Sequence, residues 1–329
     1  MVGRATRPTA LASTPGLAPQ PQVQFSDDNA RVSAVLPTGE SLEILLYGAT
    51  VISWKDKNGD EKLWLSDAAK LDGSKAVRGG IPLVFPVFGT APDHAATAKL
   101  PQHGFARTSR WEFLGKSTSE SAPGQAADLS VKLDFGLSSP SLDSETQAKW
   151  PYSFNLIYSV TLSRESLTTS LVVTNDDDKP FDCQVLLHTY LRVKLTNPST
   201  PQKDIANVEI TGLSSASYVD KVDGATTKTQ SSALTITGET DRVYTPSTPP
   251  SDPVTVLEGG KTAFTVVRDN LSNVVVWNPW TDKAAGMADF APKDGFKNML
   301  CVEPGAVGTW QTLEPGDAFE GAQTIGIGY

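Results

Sequence analysis

The chain runs to 329 residues, 39% hydrophobic and 20% charged, with 28 Lys and Arg against 37 Asp and Glu and a formal charge of −9. That length is ample for a large buried core, and no run approaches the roughly 18 apolar residues of a membrane-spanning helix. The negative balance argues against nucleic acid or an anionic membrane surface as a partner.

Residues 1–22 carry Arg4 and Arg7, no acidic residue, and prolines at 8, 15, 19 and 21. They lack the apolar stretch of a secretory signal, and the prolines spoil the amphipathic helix of a mitochondrial presequence. A flexible tail is expected. From Val23 onward the dominant period is two. Such runs fall at 31–36, 41–46 and 49–54, then at LSVKLDF (Leu129, Val131, Leu133, Phe135), NLIYSVTL (Leu156, Tyr158, Val160, Leu162) and SLTTSLVVTN. They continue at 184–193, 206–212, 233–237, 262–268, 273–278, 299–303, 309–313 and 323–327. Alternation of this kind sets one face of each strand on a core. Asn58-Gly59, Asn175-Asp176, Asp223-Gly224 and Pro315-Gly316 supply turns between them. A single helical turn is predicted at Ser66–Leu71, closed by Gly73. The polar stretches 116–128, 136–149 and 194–204 read as rim loops. Strands in unbroken succession predict an all-β fold: a large antiparallel β-sandwich forming one domain over residues 23–329.

Cys183 and Cys301 sit in apolar, strand-like segments and read as buried free thiols, which suits a reducing compartment. With three histidines and no CxxC or HExxH, the sequence offers no metal-site motif.

Four segments break the alternation. In Val77-Arg78-Gly79-Gly80-Ile81-Pro82, an arginine before two glycines suggests a charge beside a backbone that something approaches closely. A core carboxylate paired to Arg78 is the simpler alternative. In Pro101-Gln102-His103-Gly104-Phe105-Ala106-Arg107, an amide, an imidazole and a guanidinium lie within six residues, and Gln102 and Arg107 suit an oxygen-rich ligand. In Leu187-His188-Thr189-Tyr190-Leu191-Arg192, strand periodicity puts His188, Tyr190 and Arg192 on one face. Glu303, in Cys301-Val302-Glu303-Pro304-Gly305, ends an apolar strand and is expected to be partly solvated. A partly buried glutamate has a raised pKa and can accept a proton near neutrality, so Glu303 with His188 forms a candidate acid–base pair.

The strings AVRGGIPLVFPVFG, LPQHGFAR, LLHTYLRV, ETDRVY, VVVWNPW and CVEPGAV resemble, in that order and over about residues 24–329, the glucose-6-phosphate 1-epimerases. These are the hexose-6-phosphate mutarotase branch of the aldose 1-epimerase family. The resemblance implies a galactose-mutarotase-like β-supersandwich. It makes His188 the general acid and Glu303 the general base, with Arg78, Gln102, Arg107 and Asp241 binding substrate. His103 receives no role; contact with the sugar and orientation of its loop both stay open. The activity implied is exchange of the α and β anomers of glucose 6-phosphate by ring opening. It implies no metal or other cofactor, and the expected setting is a cytoplasmic monomer. The 6-phosphate favours bidentate arginine, for which Arg78 and Arg107 are the candidates.

Three rivals remain at this stage. A phosphate-free aldose 1-epimerase would keep His188 and Glu303 without needing two arginines. A glycoside hydrolase would pair Asp241 with Glu303 and leave His188 idle. A noncatalytic sugar-binding module would use Trp54, Trp64, Trp111, Trp277 or Trp280 as stacking platforms, although packing is the readier role for each.

Overall fold

The computed structural model describes residues 20–26, 28–118, 129–193 and 205–328. Among these residues, 21 strands form antiparallel sheets of four, eight and nine strands. The expected tail lies outside them up to residue 19, and the first strand, Gln22–Phe25, begins one residue inside its predicted end. The predicted loop 194–204 also lies outside the described residues.

Period two carries the nine-stranded sheet. In the strand Phe154–Leu162 every second side chain is buried, and Leu156, Tyr158, Val160 and Leu162 have no exposed surface. They pack with Leu171, Val173 and Ile325 of the same sheet and with Leu300 and Val302 of the eight-stranded one. Cutting such a side chain back to alanine typically costs about 2–5 kcal/mol, so this interlayer seam is a main source of stability.

The eight-stranded sheet reads differently because both of its faces are covered. Its strand Asn273–Asn278 is buried at every position. On one side Val274 and Val276 join the main core; on the other, Val275, Trp277, Met299 and Cys301 lie under Trp64, Phe290 and Phe296. A strand covered on both faces has no reason to alternate. The site lies on this second face.

Several predicted elements change. Runs 299–303 and 309–313 are one strand, Met299–Leu313, whose pairing shifts register between Cys183 and Val185 of its neighbour. Run 184–193 is two strands, Phe181–Leu187 and Tyr190–Arg192, interrupted at His188 and Thr189. Ser66–Leu71 makes no helix. The helices lie instead at Ser144–Lys149 and Trp280–Gly286, the first inside a predicted loop. Its cap was in plain view: Asp143 accepts from the Thr146 amide, and Lys149 reaches Glu145 one turn back. The loop predicted from 116 starts as strand, since Glu112–Thr118 pairs with Val131–Ser138. Cys183 and Cys301 are buried and free, as expected. Among the described residues no helix is long and apolar enough to cross a membrane.

Candidate active site

Sheet register assembles the site. Across neighbouring strands Asp241 faces Trp277, Trp277 faces Cys301, and Cys301 faces Tyr190. One step along, Val243 faces Val275, which faces Glu303. Directly opposed residues of antiparallel strands share a face, so Asp241, Tyr190 and Glu303 emerge on the same side.

His188 occupies the gap between its two strands. Its amide donates to the Pro82 carbonyl, and Thr189 turns to the opposite face, where its hydroxyl accepts from Gln323 Nε2 at 2.8 Å. The interruption therefore serves both layers. The His188 ring stacks on Tyr190 with centroids 4.7 Å apart and planes 7° from parallel, and it meets Trp277 edge-on. Its Nδ1 lies 3.4 Å from Glu303 Oε1.

Glu303 departs from expectation. The strand does not end there but runs on through Pro304 and Gly305, and the residue is 1% exposed. A Cβ at position 305 would crowd the Leu186 side chain and the Val185 carbonyl, so glycine lets the strands stay paired. Burial, reinforced by the charge of Asp241, raises the Glu303 carboxyl well above its ordinary value. Burial likewise lowers the His188 imidazole, with His103, Arg107 and Arg78 adding to the effect. Both shifts favour the neutral form of the group concerned, and Glu303 Oε2 is buried without a protein hydrogen-bond partner.

The Gln102–Arg107 segment is pinned from two sides. His103 has a φ of 67°; its amide donates to the Gly89 carbonyl, and its Nδ1 accepts from the Gly89 amide at 3.1 Å. That contact puts the proton of the neutral ring on Nε2. Burial, then Arg107 and Lys221, pull the His103 pKa down to about 3. Gly104, at φ 68°, lies so close to Phe85 that any Cβ would collide with the Phe85 carbonyl. Arg107 donates from Nη2 to the Gln102 carbonyl at 2.9 Å. Burial pulls its pKa down to about 10, still a cation at neutral pH.

The two glycines after Arg78 serve the protein's own backbone. A Cβ at Gly79 would press on Trp64 and Leu65, and one at Gly80 would collide with the Val51 carbonyl. Arg78 itself reaches back to Asp289, with Nη2 3.1 Å from Oδ2, and donates from Nη1 to the Tyr190 hydroxyl at 3.2 Å. Tyr190, and after it Asp289, strengthen its hold on the proton.

All seven residues singled out in the sequence (Arg78, Gln102, His103, Arg107, His188, Asp241 and Glu303) line one cavity of about 230 Å³. Burial raises the Asp241 carboxyl despite Lys221 and Lys283 nearby. Trp277, read from the sequence as packing, also lines the cavity, whereas Trp54, Trp64 and Trp111 are core. Sequence reading missed Phe88, Lys221 and Lys283 in the wall and Asp289 behind Arg78. Phe88 stands inside the AVRGGIPLVFPVFG string but carried no role there, whereas Lys221, Lys283 and Asp289 stand in none of the strings, and their places follow from register and loop path. His188, Cys301 and Glu303 offer ligand atoms within 4.8 Å of one another. Burial, and after it the charge of Glu303, raise the Cys301 thiol well above its ordinary value.

The family model for aldose 1-epimerase matches residues 32–326. A Cenchrus ciliaris protein with the provisional name glucose-6-phosphate 1-epimerase is 36% identical over 283 residues, covering 85% of this chain and 79% of that protein. An Escherichia coli K12 protein of the same provisional name is 33% identical over 259 residues, 78% of this chain and 77% of its own. Among solved structures, a provisionally named mutarotase from Salmonella typhimurium superposes with a TM-score of 0.75 at 28% identity, covering 95% of each chain. Galactose 1-epimerase from Lactobacillus acidophilus, at 14% identity and a TM-score of 0.64 over 94% of this chain and 99% of its own, shares the fold.

Proposed function

The chain belongs to the aldose 1-epimerase family, and from that premise we propose that it interconverts the α and β anomers of hexose 6-phosphates, chiefly glucose 6-phosphate. The observation that carries this reading is the contact of His188 with Glu303 on a cavity that Arg78 and Arg107 also line.

The chemistry follows from proton counting. A neutral imidazole beside a carboxylic acid holds as many protons as an imidazolium beside a carboxylate; one proton lies in a different place. Nδ1 and Oε1 are close enough for a small adjustment to move it. In the charged form the Glu303 carboxylate takes the proton of the C1 hydroxyl while His188 gives one to the ring oxygen. The C1–O5 bond breaks to an aldehyde and a C5 hydroxyl. Rotation about C1–C2 presents the other face of the carbonyl, and the same two groups run in reverse. Oε2 of Glu303, buried without a protein hydrogen-bond partner, has its acceptor capacity left for the hydroxyl.

Asp241 accepts from sugar hydroxyls, Gln102 donates and accepts, and Arg78 and Arg107 take the phosphate. For His103 the Nδ1 contact to Gly89 supports the loop-orienting role. The proposal includes one catalytic unit over 23–329, acting as a cytoplasmic monomer without metal or other cofactor. The buried free thiols fit a reducing compartment.

The phosphate-free alternative is disfavoured by charge. In a chain of formal charge −9, Arg78, Arg107, Lys221 and Lys283 gather around one small cavity. The binding-module alternative gains nothing from a cavity that both His188 and Glu303 face. Exchange NMR of glucose 6-phosphate and of free glucose, with and without protein, tests the reading. Acceleration of glucose alone would reassign the chain to the phosphate-free branch.

A further inference from the structure

The four cations around the cavity are not equally free. Arg78 is tied to Asp289 and Tyr190, Lys283 to Glu239 at 2.8 Å, and Arg107 to the Gln102 carbonyl. Lys221 is exposed, and among the described residues its ammonium has no carboxylate partner. What the ammonium touches is the Phe88 ring, 3.9 Å from its centroid.

Its main chain is fixed where it matters. Lys221 follows directly on the strand Ser217–Asp220, and its amide donates to the carbonyl of Asp241 at 2.8 Å. The stem therefore starts beside one cavity residue, and the ammonium ends over another, since Phe88 lines the wall and packs on His103. Its charge reaches inward and acts on His103, Asp241 and Glu303.

We propose that Lys221 is a phosphate-contacting residue that determines specificity for the phosphorylated sugar, swinging from the Phe88 ring onto the phosphate when substrate enters. The inference rests on the hexose-phosphate reading above. A lysine held only by an aromatic face gives up little when it leaves, and its long, flexible stem carries three donors to any phosphate oxygen in reach. Arg107 supplies directional contacts, and Lys221 supplies a mobile charge that is not already neutralised. Phe88 holds that ammonium beside the cavity wall.

The test separates binding from turnover. Lys221→Met keeps the stem and its contact with Phe88 but removes the charge; Lys221→Arg restores charge. Calorimetry on the full chain would use 1,5-anhydroglucitol 6-phosphate, which cannot open its ring, and 1,5-anhydroglucitol as its phosphate-free counterpart. The expected result is that Lys221→Met lowers the ratio of the two affinities by about tenfold, the scale of one charge-assisted contact, and that Lys221→Arg recovers most of it. An unchanged ratio in Lys221→Met overturns the proposal. A parent protein that binds the phosphorylated ligand but does not accelerate glucose 6-phosphate exchange would sink the catalytic reading instead, and the affinity ratio would still decide Lys221.

Discussion

Nδ1 of His188 and Oε1 of Glu303 stand 3.4 Å apart, although each side chain belongs to a different stretch of the eight-stranded sheet and each is nearly closed to solvent. Neither group would hold a charge there unaided, because burial opposes both imidazolium and carboxylate. Together they can carry one proton in either of two places. That is the property an anomer-exchanging site needs.

Replacing Glu303 by Gln keeps the shape and removes the acceptor. Turnover of glucose 6-phosphate should fall at least about 100-fold, the lower end of general acid–base catalysis, or about 3 kcal/mol of barrier. An exchange rate within about threefold of the parent would exclude Glu303 as the base. His188→Asn should lose as much while still binding the sugar phosphate, which calorimetry can check.

The same carboxyl predicts a stability effect of opposite sense. Its folded pKa lies well above 4.5, so the folded chain keeps a proton that the unfolded chain releases. Glu303 thus favours folding below pH 4.5 and progressively less as pH rises. Urea unfolding should show Glu303→Gln gaining on the parent over the interval that begins at pH 4.5 and extends upward. A difference that stays flat over that interval would mean the carboxyl ionises freely.

His103 works the other way. Unfolded, it takes a proton near pH 6.5; folded, it refuses one until about pH 3. Its contribution is present above 6.5 and drains as pH falls toward 3, by up to about 1.4 kcal/mol per pH unit. His103→Asn should therefore flatten the acid limb of the stability curve measured by urea unfolding. A limb as steep as the parent's would show that the ring protonates as readily folded as unfolded.

Arg107→Ala and Arg78→Ala should each narrow the kcat/KM ratio of glucose 6-phosphate over glucose by about tenfold or more, since one charge-assisted hydrogen bond contributes about 1.5–3 kcal/mol. Added salt should mimic this weakly. The two variants differ in one respect: Arg78→Ala also strands the Asp289 carboxylate, so its melting temperature should drop further. Equal losses on both sugars would make the arginines sugar-ring contacts or scaffold.

At Gly104, alanine would need both a left-handed backbone and the space held by the Phe85 carbonyl. Gly104→Ala should cost at least about 1–3 kcal/mol of stability and disturb Gln102 and His103 with it. Thermal unfolding and exchange NMR on the same sample would reveal both effects. A variant as stable as the parent would mean that the 101–107 turn can relax.

The sequence by itself determined the all-β class and the cast of the site. Alternation in stretches such as NLIYSVTL records a one-sided core locally, residue by residue, and the motif strings name the polar groups that interrupt it. It misjudged the doubly covered sheet: 184–193 looked like one strand, and Glu303 looked like a strand end. Both errors arise because a strand buried on two faces carries no period to read. What only the tertiary structure decided is which charge meets which. Arg78 finds Asp289 across 211 residues, and Lys221 comes to rest on Phe88, because register and loop path bring distant segments together. Local pattern sets which face of a strand is apolar, but an ion pair is a property of two points in space, and their separation exists only once the sheets have closed on each other.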